Sequence, residues 1–69
     1  MKLSARNQLK GKVTEIKEGL VTAKVVVDIG NDKYITSSIT MDAVKELDIK
    51  VGSEVTAVIK ASSVMLAVE

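Results

Sequence analysis

From Leu20 to Ile29 the side chains alternate so regularly that few backbone conformations can accommodate them. Val21, Ala23, Val25, Val27 and Ile29 fall on one face and Leu20, Thr22, Lys24, Val26 and Asp28 on the other. That period of two belongs to an extended strand, and a helical period would scatter it. Gly30-Asn31-Asp32 follows as a turn cluster in which Gly30 or Asn31 can supply positive φ, and Lys33 to Thr40 resumes with Ile35, Ser37 and Ile39 on one side. Two such runs around such a turn predict a β-hairpin. Upstream, Gln8 to Lys17 carries Leu9, Val13 and Ile16, but the alternation slips by one between Val13 and Ile16, as a β-bulge would make it, and Gly11 marks a bend. Glu18-Gly19 then returns the chain, so the first three strands read as an antiparallel meander.

After Thr40 the period changes. Asp42-Ala43-Val44-Lys45-Glu46-Leu47 has an acidic residue in its first turn and apolar residues three apart, which predicts a short helix over about residues 42–47. Val51-Gly52-Ser53 reads as a turn. Glu54 to Ala61 alternates again with Val55, Ala57 and Ile59 inward, and after Ser62-Ser63 a last strand is expected from Val64 to Val68. The expected fold is all-β: an OB-fold-like five-stranded antiparallel barrel, with one short helix before the fourth strand, forming a single domain over residues 1–69. Leu20, Val26, Val58 and Met65 fall on outward faces. They read as subunit contacts, or else as the scattered apolar residues that any surface carries.

What the chain lacks narrows its chemistry. With no Cys and no His among 69 residues, thiol nucleophiles, imidazole bases and direct transition-metal coordination by the protein are removed, and no nucleophile–base pair is visible, so an enzyme is not expected. Tyr34 is the one aromatic residue and the net charge is +1, a poor endowment for stacking or tracking nucleic acid. There is no apolar run of membrane-spanning length and no signal-peptide pattern at the start, so a cytoplasmic protein with no membrane partner is expected; starting at Met1 and ending just after Leu66-Ala67 with no linker, the chain reads as free-standing rather than excised. A chain this short buries only about 60% of its unfolded surface and has no disulfide or metal to compensate, and oligomerisation is the natural remedy.

The polar residues that strands do not require gather in three places: Ser4-Ala5-Arg6-Asn7, Thr40 at the strand-to-helix junction, and Lys60-Ala61-Ser62-Ser63. Arg6 and Lys60 carry charge, Ser4, Thr40, Ser62 and Ser63 carry hydroxyls, and the residues after Thr40 offer the free N–H groups of a helix start. Together these could cage a tetrahedral dianion, whose burial demands matched charge and saturated oxygens. Neither cationic segment contains an acidic residue. Phosphate, which near neutral pH keeps a proton in need of an acceptor, therefore suits the set less well than molybdate, tungstate or sulfate, although Asp42 lies close to Thr40 in sequence. Taken residue by residue, solvated strand charges and an ordinary serine turn account for the same positions.

Ser4-Ala5-Arg6-Asn7-Gln8-Leu9-Lys10-Gly11 closely resembles the opening of the Mop family, the small molybdate-binding molbindins and the related domains of molybdate regulators and transporters. Ile39 to Leu47 and Val51 to Ala61 look like two further blocks of that family, in the same order and with similar spacing. The resemblance implies a Mop, or TOBE-like, domain assembled as a homohexamer from a trimer of dimers, with molybdate or tungstate held between subunits as bound ligand and no catalytic cofactor. It carries anion contacts to Ser4, to Ala5 and Arg6, to Thr40, and to Lys60, Ala61 and Ser62. At Ala43 many relatives resemble this chain but carry a serine, which leaves the Ala43 backbone N–H as the donor there.

Storage and buffering of the oxyanion is the function this implies. Two other readings stay open. An OB-fold nucleic-acid- or protein-interaction module would use Arg6, Lys10, Lys12 and Lys17 on phosphates, and a regulatory domain of a transporter ATPase or transcription factor would be the same module excised from a longer chain.

Overall fold

The computed structural model describes residues 2–69. Its centre is β1 (Asn7–Glu18), which pairs antiparallel with both β2 (Thr22–Gly30) and β4 (Glu54–Ile59), while β3 (Lys33–Thr40) pairs with β2, giving the sheet order β3-β2-β1-β4. β1 divides its length between its neighbours. Asn7 to Lys12 face β4, and Lys12 to Glu18 face β2. The register shifts between Val13 and Glu15, where Thr14 is the extra residue and its hydroxyl donates to Val26 O at 3.4 Å. This is the bulge expected from the broken alternation, and its added twist lets one long strand serve both halves of a curled sheet.

Gly11 sits in the tightest part of the curl. A Cβ on it would collide with the Asp28 carbonyl oxygen and lie 2.6 Å from Val27 Cγ1. Gly11→Ala is expected to lower stability by about 1–3 kcal/mol through overpacking against backbone that cannot move aside. Thermal unfolding at fixed protein concentration measures it, and an unchanged midpoint would show that β1 and β2 separate more readily than the packing implies.

Inside the curl, Val13, Val25 and Val27 form the buried cluster, with Ile16, Ile29, Ile39, Ile49 and Val55 packed around it. The inner face expected for β2 holds for Ala23, Val25 and Val27, which are buried. It fails at Val21, which is 72% exposed, because Gly19 N–H donates to Thr22 O at 2.9 Å and closes the β1–β2 turn beneath Leu20 and Val21, pushing both out as its tip. The β2–β3 turn is the tight one expected: Asn31 and Asp32 have φ of 53° and 59° and the strands meet again at Gly30 and Lys33, the left-handed pair that matches strand twist in a two-residue hairpin.

A short helix, α1 (Met41–Glu46), follows β3. Thr40 caps it, Asp42 lies in its first turn and Lys45 in its last, each charge favourable to the helix dipole. Asp48 and Ile49 N–H donate to Lys45 O at 3.1 Å and Val44 O at 3.0 Å, with Asp48 at φ 51°. This is a Schellman ending that turns Ile49 back onto the core, beside buried Val44.

The expected fifth strand is not formed. β4 ends at Ile59 rather than Ala61, a single 3-10 turn occupies Ala61–Ser63, and residues 64–69 leave the sheet without pairing. The sheet among the described residues therefore has four strands. Its edges, β3 and β4, face each other across an open groove lined by Val25, Val27, Ile35, Ile39, Val55 and Ile59. Surface area carries the same message: a monomer of 7.4 kDa should expose about 4,200 Å², and this chain exposes 5841 Å². No helix among the described residues is long and apolar enough to cross a membrane.

Candidate functional site

Folding gathers the three donor-rich segments into two places. Ser4-Ala5-Arg6 leads into β1 and Lys60-Ala61-Ser62 leads out of β4. Asn7 stands opposite Ile59 in the antiparallel ladder, so Arg6 and Lys60 sit one step beyond the last registered pair at the same end of the sheet. The junction is tied by side chains: Asn7 Nδ2 donates to Ile59 O at 3.2 Å and Gln8 Nε2 donates to Ala5 O at 3.1 Å. Ser63 N–H donates to Lys60 O at 2.8 Å and curls the outgoing segment.

The electrostatics of this end are one-sided. Among the described residues the one ion pair joins Lys50 to Asp48 at 3.6 Å on the open surface, so neither Arg6 nor Lys60 has a carboxylate partner. Ser4, Arg6, Lys60, Ala61 and Ser62 are exposed, with Ala5 half-buried beside them. No group of three or more His, Cys, Asp or Glu among the described residues is placed to hold a metal ion.

Thr40 and Ala43 are not brought to this place. Thr40 pairs with Thr22 at the start of β2, next to the end of β1 where Glu18 faces Ala23. Arg6 adjoins the other end of that strand. The helix-start donors expected from the sequence are also largely engaged within the chain. Ala43 N–H donates to Thr40 Oγ1 at 3.0 Å and Met41 N–H to Val21 O at 2.7 Å. Thr40 keeps the proton of its hydroxyl to offer a ligand. Half-buried Ala43 offers one only if the cap opens.

Asn7 and Gln8 emerge as struts that sequence reasoning did not single out. Asn7 belongs to the Ser4-Ala5-Arg6-Asn7 run, but its partner carbonyl lies on a strand that sequence alone does not place beside it.

The TOBE domain family model matches residues 3–66, a span that takes in all four strands, α1 and every candidate residue. The probable molybdenum-pterin-binding protein of Haemophilus influenzae is 55% identical over 69 residues, covering 100% of both chains. The chain belongs to the Mop family. Its fold is correspondingly close to solved Mop structures: MopII from Clostridium pasteurianum superposes with a TM-score of 0.92 at 52% identity, covering 97% of this chain and 100% of MopII. The cytoplasmic molybdate-binding protein ModG, solved with molybdate bound, superposes with a TM-score of 0.96 at 46% identity. All of this chain is covered in that match, which takes up 49% of ModG. These likenesses place the curled four-stranded sheet among the OB-like Mop folds.

Proposed function

We propose that this Mop chain binds molybdate or tungstate at the interfaces of a homo-oligomer and holds the anion as a cytoplasmic store and buffer, without catalysing a reaction. The observation that carries the reading is the Arg6–Lys60 juxtaposition. Arg6 and Lys60, cations without carboxylate partners, each follow directly on the last β1–β4 pair, Asn7 with Ile59, and Ser4 and Ser62 lie two residues further along the same two segments. Ala5 and Ala61 bring backbone groups to the same end. Thr40 and Ala43 lie by the opposite end of β1, so they complete a cage only when supplied by another copy. That division of the donors supports an interfacial site, and the excess exposed surface supports the assembly, for which a trimer of dimers is the proposed form. Residues 1–69 act as one Mop domain in this reading.

Relatives of the chain are named for molybdenum-pterin, and the donor set favours the bare oxyanion over a pterin ring. None of the candidate residues is aromatic, and Tyr34, the single aromatic residue, stands in the β2–β3 hairpin opposite Asp28, away from the cations. A flat heterocycle would find no stacking partner at the site.

Calorimetric titration with sodium molybdate, tungstate, sulfate and phosphate, alongside gel shifts with oligonucleotides over a salt series, tests the assignment. Saturable binding of molybdate and tungstate is expected, with phosphate at least about tenfold weaker because neither cationic segment carries a carboxylate to take up its proton. Absence of oxyanion binding together with salt-sensitive oligonucleotide shifts would instead make the chain a nucleic-acid module. The concave face bearing Lys10 and Lys12 argues against that outcome, since Asp28 and Glu54 line it too.

A further inference from the structure

Both cations of the candidate site are held through the peptide units that precede them. Asn7 Nδ2 donates to the Ile59 carbonyl at 3.2 Å, and that carbonyl belongs to the peptide unit whose nitrogen is that of Lys60. Gln8 Nε2 donates to the Ala5 carbonyl at 3.1 Å, which belongs to the peptide unit whose nitrogen is that of Arg6. Asn7 and Gln8 are consecutive residues of β1, so their side chains leave opposite faces of the strand. The two bonds differ in what they join. Gln8 ties the Arg6 segment to itself, three residues back and on the open surface, whereas Asn7 reaches 52 residues along the chain from a half-buried position. Asn7 and Ile59 are also the last registered pair of the β1–β4 ladder, and Lys60 opens the 3-10 turn with no cap from its own side chain. Among the described residues, the side-chain bond that joins one cationic segment to the other is the one from Asn7.

We propose that Asn7 is a positioning residue that sets the anion selectivity of this site, an inference that rests on the oxyanion reading above. From the position next to Arg6 its carboxamide grips the peptide unit of Lys60, and so fixes the spacing of the two cationic segments where the ladder ends. A spacing fixed in advance rewards the anion that fits it, and a smaller anion is bound well only if the segments close further and break the bond. Molybdate and tungstate are larger tetrahedra than sulfate and phosphate, so a held spacing discriminates among ions of the same shape and similar charge. The amide is also the chemistry the place requires. An aspartate there has the same shape, but its ionised carboxylate has no proton to give the Ile59 carbonyl. It would break the tie and bring to the cations the acceptor that phosphate's proton needs and that neither cationic segment carries.

The full chain is titrated calorimetrically with molybdate, sulfate and phosphate as the parent and as Asn7→Ala, Asn7→Asp and Gln8→Ala. Asn7→Ala is expected to lower the molybdate-to-sulfate affinity ratio at least about fivefold, the scale of one hydrogen bond. Asn7→Asp should lower the molybdate-to-phosphate ratio at least about tenfold, since it adds a like charge against the dianion and an acceptor for the proton of phosphate. Gln8→Ala, which frees a tie within one segment, should leave both ratios within about twofold. A role confined to holding the fold would weaken the three anions alike, so a ratio unchanged or raised in either Asn7 variant overturns the proposal, as does a Gln8→Ala protein that changes as much as Asn7→Ala. A parent that binds none of the three anions is a different result and overturns the oxyanion reading itself. Solvent exchange of the Asn7 carboxamide protons in the parent, followed by nuclear magnetic resonance, needs no variant to fold: saturating molybdate should slow it more than saturating sulfate does, and equal slowing refutes the assignment.

Discussion

Lys60→Ala and Arg6→Ala are each expected to weaken molybdate binding by at least about tenfold while leaving thermal stability close to that of the parent. Both side chains are exposed, and neither belongs to an ion pair or a side-chain hydrogen bond among the described residues. Removing either therefore costs the fold little. The bound dianion loses far more, because a partly enclosed anion depends on matched charge and a missing partner leaves it under-neutralised. Lys60→Arg should keep most of the affinity, which separates charge from shape. Thr40 is a poorer probe, since its hydroxyl caps α1 and its loss would cost about 1 kcal/mol of stability whatever its role toward the anion. Equal molybdate titration curves for Lys60→Ala and the parent would remove the site from this end of the barrel.

Val13 is the position at which the fold itself is most exposed to damage. It is 1% exposed, its N–H donates to Ser53 O at 2.9 Å and its carbonyl accepts from Gly52 N–H at 2.8 Å. It stands at the step where β1 passes from β4 to β2. Val13→Ala removes two methyl groups' worth of burial and leaves a gap, about 2 kcal/mol together. For a domain of this size that is a fall in melting temperature of roughly 10 °C or more at fixed protein concentration. Val13→Asp would place a carboxylate among Val25 and Val27 with no partner and is expected to leave no cooperative unfolding transition at 25 °C, because total stability for such a chain is only about 3–10 kcal/mol. A Val13→Asp protein with native circular dichroism and a normal melt would show that the cluster contributes much less than its burial indicates.

The two substitutions separate the roles that the structure combines. The bulge at Thr14 lets one strand serve two neighbours, and the pairing of β1 with β4 brings the segments that carry Arg6 and Lys60, far apart in sequence, to one end of the sheet. The struts from Asn7 and Gln8 then hold that placement with contacts that have no periodic signature. The core is small: the buried hydrophobic residues among those described are Val13, Ala23, Val25, Val27 and Val44, and much of the remaining apolar surface lies along the β3–β4 groove and the tail.

Local chemistry made most of this legible in advance. Alternation marked β2 and β3, the broken period between Val13 and Ile16 marked the bulge, Gly30-Asn31-Asp32 marked a left-handed turn, and Thr40 with Asp42 marked the start of a helix, because each depends on residues within a few positions of one another. Val21 escaped, since a hydrogen bond closing the turn beneath it outweighed its place in the pattern. The strand expected over Val64 to Val68 had the right periodicity, yet within one chain it pairs with nothing. A period of two determines which side chains share a face and is silent on which edge, in which molecule, supplies the hydrogen bonds. Neighbour choice is a long-range competition among ladders, and only the tertiary arrangement decided it, both for the cations that the β1–β4 pairing brought together and for the tail that it left free.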